Sequence, residues 1–118
     1  MNGSLIYSDY LNLYSRNMIQ SLALSKNQIQ PSSIDLSLSN ECYEIKYSFL
    51  SPKSKVRDKL KELIVKKINL NKKYTFKINK TYLVKLNEKV DLRDNIFGHC
   101  NPKSSTGRLD IFCRTIVD

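Results

Sequence analysis

Two stretches of the chain repeat apolar residues at the spacing of an α-helix. In residues 15–25, Met18, Ile19 and Leu22 fall on one side of a predicted short helix. Residues 54–68 repeat the pattern and carry a basic face opposite the apolar one. The apolar positions of this second segment are Val56, Leu60, Leu63, Ile64 and Ile68. A basic amphipathic helix can lie on a membrane surface, but packing on a sheet of the same chain is far commoner, and we expect that here.

Elsewhere, apolar and polar residues alternate or β-forming residues dominate, as in half-buried strands. These segments are residues 33–38, 42–49, 74–78, 81–86, 90–92 and 109–117. Asn40 and Glu41 predict a turn between the segments at 33–38 and 42–49. Residues 1–12 show no regular spacing of apolar residues, which predicts an irregular start. We therefore expect a mainly β fold of the α+β class, with an N-terminal helix and one helix inserted between strands. Residues 1–27 would form the N-terminal segment and residues 28–118 the β domain.

The formal net charge of +9 comes mostly from lysines spread between residues 46 and 89. Many alternate with apolar residues, which indicates a solvated surface rather than a nucleic-acid site, and no basic stripe is interleaved with aromatic residues. Three cysteines at long spacings favour reduced thiols. No apolar run reaches the ~20 residues that span a bilayer, and residues 1–7 lack the pattern of a secretory signal. We therefore predict a cytoplasmic protein that does not bind membranes.

The polar chemistry of the chain is concentrated in residues 101–108, Asn-Pro-Lys-Ser-Ser-Thr-Gly-Arg. Backbone N–H groups in a tight glycine turn favour anions, and three hydroxyls add neutral donors. Lys103 can place a point charge on a phosphate, and Arg108 can bind phosphate oxygens in bidentate fashion. The candidate binding residues are Lys103, Ser104, Ser105, Thr106, Gly107 and Arg108. This composition is typical of a phosphate-binding loop, and equally of a polar turn between two strands.

Three familiar kinds of catalytic site are not supported by the sequence. Zinc-dependent deaminases need His-x-Glu and Pro-Cys-x-x-Cys, whereas His99 is followed by Cys100 and Pro102 by lysine, so we expect no zinc and no other metal ligands. His99, the only imidazole, could face Ser104 or Cys113, but no nucleophile elbow is present, and a structural histidine is favoured. The glycine of the loop precedes arginine rather than Lys-Ser/Thr, which excludes a Walker loop.

Two motifs, in this order along the chain, resemble those of the dCTP deaminase family. The first is Gln-Ile-Gln-Pro-Ser-Ser-Ile-Asp-Leu-Ser-Leu at residues 28–38, and the second is Asn-Pro-Lys-Ser-Ser-Thr-Gly-Arg-Leu-Asp at residues 101–110. The similarity spans roughly residues 18–118. It is closest to the long form of the family, in which the loop begins with lysine and has Thr-Gly in the middle. The predicted helix at residues 56–70 and the strand at residues 81–86 also resemble that form.

The resemblance implies a distorted β-barrel of the dUTPase-like β-clip type, usually a homotrimer with active sites between subunits. Members of the family hydrolyse the 4-amino group of dCTP to give dUTP and ammonia, without zinc and with magnesium on the triphosphate. By resemblance, Lys103, Ser104, Ser105 and Arg108 would line the triphosphate and the reacting end of the nucleotide. Lys103 stands where many members have arginine. Ser104 would position the water or the base, and Arg108 would belong to the catalytic cluster.

The same resemblance assigns a supporting role to the strand that carries Ser33 and Asp35. Attack of water at C4 needs a general base, which the family supplies as a glutamate downstream of the loop. The glutamates of this chain all precede the loop, at positions 41, 44, 62 and 88. We therefore expect the N-terminal portion of a dCTP deaminase, truncated before its C-terminal part and inactive as an isolated chain.

Alternative functions remain open at this point. The chain could be one part of a split deaminase, active with a separately encoded C-terminal part, or a non-catalytic remnant that at most binds nucleotide. A dUTP diphosphatase shares the loop chemistry and the fold. The Lys-Ser-Ser-Thr-Gly-Arg sequence and the inserted helix favour the deaminase.

Overall fold

The computed structural model describes residues 3–22 and 24–116, in which strands form most of the regular structure. The helices are α1 (Tyr7–Ser15), α2 (Val56–Leu60) and α3 (Ser104–Gly107), with a 3₁₀ turn at Lys26–Gln28. The strands are β1 (Ile19–Gln20), β2 (Leu38–Ile45), β3 (Ile64–Asn69), β4 (Thr81–Leu86) and β5 (Lys89–Val90). The predicted α+β class is confirmed, with one helix before the strands and α2 inserted between β2 and β3. Across these two ranges the strands do not close into a barrel, and no helix is long and apolar enough to cross a membrane.

Strand β2 is the centre of a three-stranded antiparallel sheet with the order β3-β2-β4. Cys42 on β2 lies opposite Ile68 of β3 and Val84 of β4. A second, two-stranded sheet pairs β1 with β5 and places Ile19 opposite Val90. The central strand is thus hydrogen-bonded on both sides, and its side chains can be buried on both faces.

The first hydrophobic cluster lies on one face of the larger sheet, and its buried residues are Ile45, Phe49, Leu60 and Leu63. Tyr43 and Leu83 pack against it from the strands, and Val56 packs against it from α2. The short helix therefore contacts the sheet of its own chain, as the sequence predicted.

The other face of the sheet carries Cys42, which is fully buried, and Glu44, which is 8% exposed. Glu44 lies opposite Tyr82 on β4. The ring of Tyr82 is 4.7 Å from that of Phe76 and 6.1 Å from that of Tyr74, measured between centroids. Residues 74–76, which precede β4, thus lie against the Tyr82 side of the sheet.

A second cluster joins the N-terminal segment to the region before the polar loop. Its buried residues are Leu13, Met18 and Ile19, and the partly buried residues packed against them are Leu5, Tyr10, Ile34, Leu92 and Ile96. The backbone oxygen of Met18 also accepts a hydrogen bond from the Asp91 N–H (2.8 Å). The hairpin that contains Ile34 is therefore packed on the same core as β1.

The N-terminal helix exists, but the predicted position at residues 15–25 is wrong. Helix α1 ends at Ser15, and most of it lies within residues 1–12, where the sequence predicted an irregular start. Asp9 caps the helix by accepting a hydrogen bond from the Ile6 N–H (2.9 Å). Asn17 has a left-handed φ of 57°, which ends the helical path. Met18 and Ile19 then become buried in extended backbone rather than on a helix face. Ala23, which the predicted helix included, lies outside the described residues.

The helix predicted at residues 54–68 is also shorter than expected. Helix α2 stops at Leu60, and the apolar residues from Ile64 onward form β3. Ile64 and Val65 are β-branched and favour a strand, and Ile64 pairs with Ile45 of β2. Leu60 and Leu63 are buried as predicted, because either conformation directs them to the core.

Several predicted strand limits are corrected as well. β2 runs through Asn40 and Glu41 without the predicted turn, and ends at Ile45 rather than at residue 49. Residues 33–38 contribute a single bridge between Ile34 and Ile29 before β2 begins. The segments at 74–78 and at 109–116 contain no strand, and Val117 lies outside the described residues. The strand predicted at residues 90–92 is β5, one residue earlier.

Glu41 forms an ion pair with Arg57 that lowers its pKa and gives a testable pH dependence. Its carboxylate accepts hydrogen bonds from both terminal nitrogens of Arg57 (2.8 and 3.3 Å) and from the Tyr43 hydroxyl (2.8 Å). The bond from Arg57, followed by that from Tyr43, lowers the pKa of Glu41 from 4.5 to about 2. Because the pKa is lowered in the folded state, the stabilisation is complete above the unfolded value and is lost as the pH falls through about 2.

We expect Glu41→Gln to lower the free energy of unfolding at pH 7 by about 1 kcal/mol, a small value because Arg57 is half exposed. Urea unfolding measures this loss, and a carbon-detected NMR titration measures the pKa. The matched control is Glu62→Gln, since Glu62 is more exposed and, among residues 3–22 and 24–116, its carboxylate pairs with Lys59 alone, one turn away. A Glu41 midpoint near 4.5, or equal losses in the two variants, would contradict the assignment.

Candidate functional site

The polar loop at residues 101–108 contains one turn of helix. Lys103 has an extended backbone (φ −67°, ψ 143°) and precedes α3, and its carbonyl accepts hydrogen bonds from the N–H groups of Thr106 (3.0 Å) and Gly107 (3.4 Å). The glycine turn that the sequence suggested is therefore replaced by helical backbone. Ser104, Ser105 and Arg108 are exposed, and Thr106 is partly buried. Two cations and two hydroxyls are thus presented to solvent within six residues.

An ion pair connects this loop to the first sequence motif. Lys103 Nζ donates to Asp35 Oδ2 at 2.7 Å, although the two residues are 68 positions apart in the chain. The side chain of Asp35 is 30% exposed and that of Lys103 is 61% exposed. The structure therefore brings together two of the residues that the sequence selected.

Asp35 is held by the hairpin on which it lies. Ile29 and Ile34 form an antiparallel bridge, and the Gln30 N–H donates to the Ser33 carbonyl (2.8 Å) to close the turn. The Asp35 N–H donates to the Gln28 carbonyl (2.7 Å). Ser33 is exposed, and its carbonyl accepts the turn hydrogen bond from Gln30. Among the described residues it makes no hydrogen bond to the loop, whereas Asp35 does.

Glu88 was missed by sequence reasoning, which gave it no role in the site. It is buried between β4 and β5, and its Oε1 accepts hydrogen bonds from Gln28 Nε2 (2.8 Å) and Ser37 Oγ (2.7 Å). Its Oε2 accepts from the Ser37 N–H (2.9 Å). In the sequence Glu88 lies among lysines after a predicted strand, a context typical of solvated charge. Only its partners, 51 and 60 positions away, reveal its burial.

Arg108 is the unpaired cation of the loop. Among residues 3–22 and 24–116 it has no ion-pair partner, whereas Lys103 is paired with Asp35. An anion that entered the loop could therefore bind the Arg108 guanidinium directly. To bind the Lys103 ammonium, it would have to displace the Asp35 carboxylate or share the ammonium with it. Arg108 is thus the loop cation whose charge is available without rearrangement.

The other candidate chemistries gain no geometric support from the described part of the chain. His99 is exposed and forms no hydrogen bond with Ser104 or Cys113 there. Within the same residues, no group of three or more His, Cys, Asp or Glu side chains is arranged to hold a metal ion.

Gly107 provides a test of the loop backbone. Its φ is not left-handed, and a Cβ built on it would meet no atom within 4 Å. We expect Gly107→Ala to leave the free energy of unfolding unchanged or to raise it by up to about 1 kcal/mol, because alanine favours helix. Gly98→Ala is the comparison variant, since its Cβ would lie 3.0 Å from Leu92 Cδ1 and would require that side chain to shift. A loss of more than about 1 kcal/mol in Gly107→Ala would contradict the helical turn.

The antiparallel α+β scaffold, to which a long-range ion pair joins the exposed loop, has a dUTPase-like fold. More specifically, the chain belongs to the family of the 2'-deoxycytidine 5'-triphosphate deaminase (DCD) N-terminal domain, whose model matches residues 1–118. The resemblance inferred from the two motifs is thereby confirmed.

A solved structure agrees with this family membership. The chain is similar to the crystal structure of 2'-deoxycytidine 5'-triphosphate deaminase from Agrobacterium tumefaciens, with 35% sequence identity and a TM-score of 0.87. The match covers 93% of this chain and 34% of that one, so the chain spans about a third of the length of the enzyme that it resembles. A comparison with curated protein sequences gave no match.

Proposed function

We propose that this chain supplies the triphosphate-binding part of a dCTP deaminase active site. The observation that carries the proposal is the family match over residues 1–118. The loop offers the groups that a triphosphate requires, two cations and exposed hydroxyl donors. The reaction of the complete site would be the hydrolytic deamination of dCTP to dUTP and ammonia.

Within this proposal, each loop residue has a role that its chemistry can perform. Arg108 would bind phosphate oxygens in bidentate fashion and reach the reacting end of the nucleotide, and Lys103 would add a point charge. The hydroxyls of Ser104 and Ser105 would donate to phosphate oxygens, and Ser104 would also orient the attacking water or the base. Thr106, which is partly buried, and Gly107, which is exposed in the helical turn, would complete the binding loop. Asp35 would fix the starting position of the Lys103 ammonium.

The chain alone would bind dCTP without deaminating it. Attack of water on C4 needs a carboxylate or another base that is free to accept a proton beside the nucleotide. The four glutamates are all engaged elsewhere, Glu41 by Arg57, Glu44 by Lys80, Glu62 by Lys59 and Glu88 by Gln28 and Ser37. We propose that the general base comes from the part of the deaminase that this chain does not match.

Magnesium would enter with the triphosphate. Mg²⁺ prefers oxygen ligands and is commonly held by substrate phosphates with one or two carboxylates, and the Asp35 carboxylate lies at the loop. These residues fit a metal carried by the nucleotide better than a metal held by the protein alone. The bound ion would neutralise part of the triphosphate charge. The reaction that we propose requires no zinc.

The assembly that we propose is a homotrimer in which this chain is completed by the part of the deaminase that it does not match. Apolar side chains near the loop are largely exposed in the single chain, with Phe97 at 92% and Phe112 at 95%. Exposed apolar groups of this size are consistent with a surface that other segments or subunits cover. Light scattering during size-exclusion chromatography measures the oligomeric state.

Product analysis tests the proposed function. The purified chain is incubated with dCTP and Mg²⁺, alone and together with the portion of the Agrobacterium enzyme that this chain does not match. We expect bound dCTP but no ammonia from the chain alone, and ammonia with dUTP from the combination. Release of pyrophosphate would instead indicate a diphosphatase. Failure of the folded chain to bind dCTP would overturn the proposal.

A further inference from the structure

Glu88 is buried, yet it forms no ion pair with any lysine or arginine in the described ranges, and its three hydrogen bonds all come from neutral donors. A buried charge is costly unless its acceptors are satisfied. Burial raises the pKa of Glu88, but the hydrogen bonds from Ser37 and Gln28 outweigh it, and the pKa lies below its ordinary value. The carboxylate is therefore ionised at neutral pH and serves as a strong acceptor that fixes the groups around it.

The first group that Glu88 fixes is the side-chain amide of Gln28. Its Nε2 donates to Glu88 and to the backbone oxygen of Asp35 (2.9 Å), and its Oε1 accepts from the Ser25 N–H (2.9 Å). The amide thus connects three segments of the chain and has one orientation that satisfies all of them. Glu88 determines that orientation because it can only accept.

The second group is Asp35 itself. Its backbone N–H and its carbonyl both bond to Gln28, one to the backbone and the other to the side chain. Its carboxylate then holds Lys103. A continuous series of hydrogen bonds therefore runs from the buried charge of Glu88 through Gln28 and Asp35 to the polar loop.

We propose that Glu88 is a positioning residue of the phosphate-binding loop, which acts through Gln28 and Asp35 to place the Lys103 ammonium. The consequence for nucleotide binding rests on the proposed function, whereas the consequence for Asp35 does not. A neutral amide of the same shape cannot replace Glu88, because its NH₂ group would face hydrogen-bond donors. The role is distinct from general-base catalysis, since every oxygen of Glu88 is directed at protein donors.

The test compares Glu88→Gln with Glu62→Gln. Glu62 is exposed and takes part in none of the hydrogen bonds that connect Glu88 to Asp35. Hydrogen exchange reports on the network without any ligand. We expect the Asp35 amide to exchange at least ~10-fold faster in Glu88→Gln, because its acceptor Gln28 is no longer fixed. The amide of Tyr43 at the centre of β2 should exchange at the same rate as in the wild type. Calorimetry with dCTP and Mg²⁺ should show about tenfold weaker binding in Glu88→Gln and no change in Glu62→Gln.

A double-mutant cycle separates positioning from general destabilisation. In an Asp35→Asn background the connection to Lys103 is already weakened, so Glu88→Gln should add less than about twofold to the loss of dCTP affinity. Full additivity would overturn the inference, as would unchanged exchange of the Asp35 amide. If the wild type fails to bind dCTP while Asp35 exchange still accelerates, the proposed function fails and the structural role of Glu88 stands.

If Glu88→Gln does not fold, the Ser37→Ala variant tests the positioning role of Glu88 instead. It removes the Oγ donor to Glu88 and leaves the backbone donor of Ser37 in place. We expect a smaller acceleration of Asp35 exchange, in the same direction. Wild-type exchange at Asp35 in this variant would overturn the inference.

Discussion

Arg108→Ala is expected to weaken dCTP binding by about 10- to 100-fold, because charge-assisted bidentate hydrogen bonds contribute about 1.5–3 kcal/mol. Arg108 is exposed and lacks an ion-pair partner in the described part of the chain, so its removal leaves no buried group unsatisfied. The melting temperature should therefore stay unchanged. Calorimetric titration with dCTP and Mg²⁺ measures the affinity, and a thermal melt measures the stability.

Arg108→Lys is the matched variant for this prediction. It keeps the positive charge and loses the bidentate geometry, so its affinity should fall between those of the wild type and Arg108→Ala. Equal affinities in all three proteins would show that Arg108 takes no part in binding. A large loss of thermal stability would assign it a structural role instead.

Leu63→Ala is expected to lower the free energy of unfolding by about 2–5 kcal/mol, the range for a large-to-small change in a packed core. Leu63 is 2% exposed and belongs to the cluster of Ile45, Phe49 and Leu60 between the sheet and α2. The cavity would lie where the chain passes from α2 into β3, and three elements would lose contacts. In a domain of this size such a loss is a large part of the total stability.

Leu50→Ala provides the control for the core prediction. Leu50 has the same side chain but is 70% exposed, so its truncation should change stability by less than about 0.5 kcal/mol. Urea unfolding of both variants at one pH gives the comparison. Losses of similar size would mean that the Leu63 cluster is not the core of the sheet.

The sequence was a good guide to the fold where one pattern allowed one structure. β4 has the predicted bounds, Thr81–Leu86, because β-forming residues are flanked there by turn residues. Residues 54–68 were misread because Leu60 and Leu63 face the core whether the chain is helical or turns into a strand. The preference of Ile64 and Val65 for β structure and the pairing with β2 decide the outcome, and that pairing is a long-range interaction.

The N-terminal helix was also misplaced because local spacing alone could not distinguish a helix from a strand. Met18 and Ile19 suit a helix face by spacing, but two adjacent apolar residues also suit a short buried strand. The left-handed Asn17 and the partner strand β5 select the strand. Neither the backbone angle of Asn17 nor the presence of its partner can be read from local periodicity.

Some features of the candidate site could likewise be predicted from local sequence, and others could not. Local chemistry was sufficient to select Lys103 and Arg108, and the resemblance added Asp35. The ion pair between Lys103 and Asp35 and the burial of Glu88 depend on contacts between distant segments, so residue patterns could not reveal them. The loop backbone also differs from the expectation, since Gly107 is helical and Asp110 takes the left-handed conformation that follows the turn.

A series of nucleotides that differ in their number of phosphates tests whether the loop at residues 101–108 binds the triphosphate of dCTP. The folded wild-type chain is titrated in a calorimeter with dCTP, dCDP and dCMP, each with Mg²⁺. We expect saturable binding of dCTP that weakens as phosphates are removed, by about 100-fold between dCTP and dCMP. Equal affinities for dCTP and dCMP, or no binding of dCTP by a chain that melts cooperatively, would contradict it.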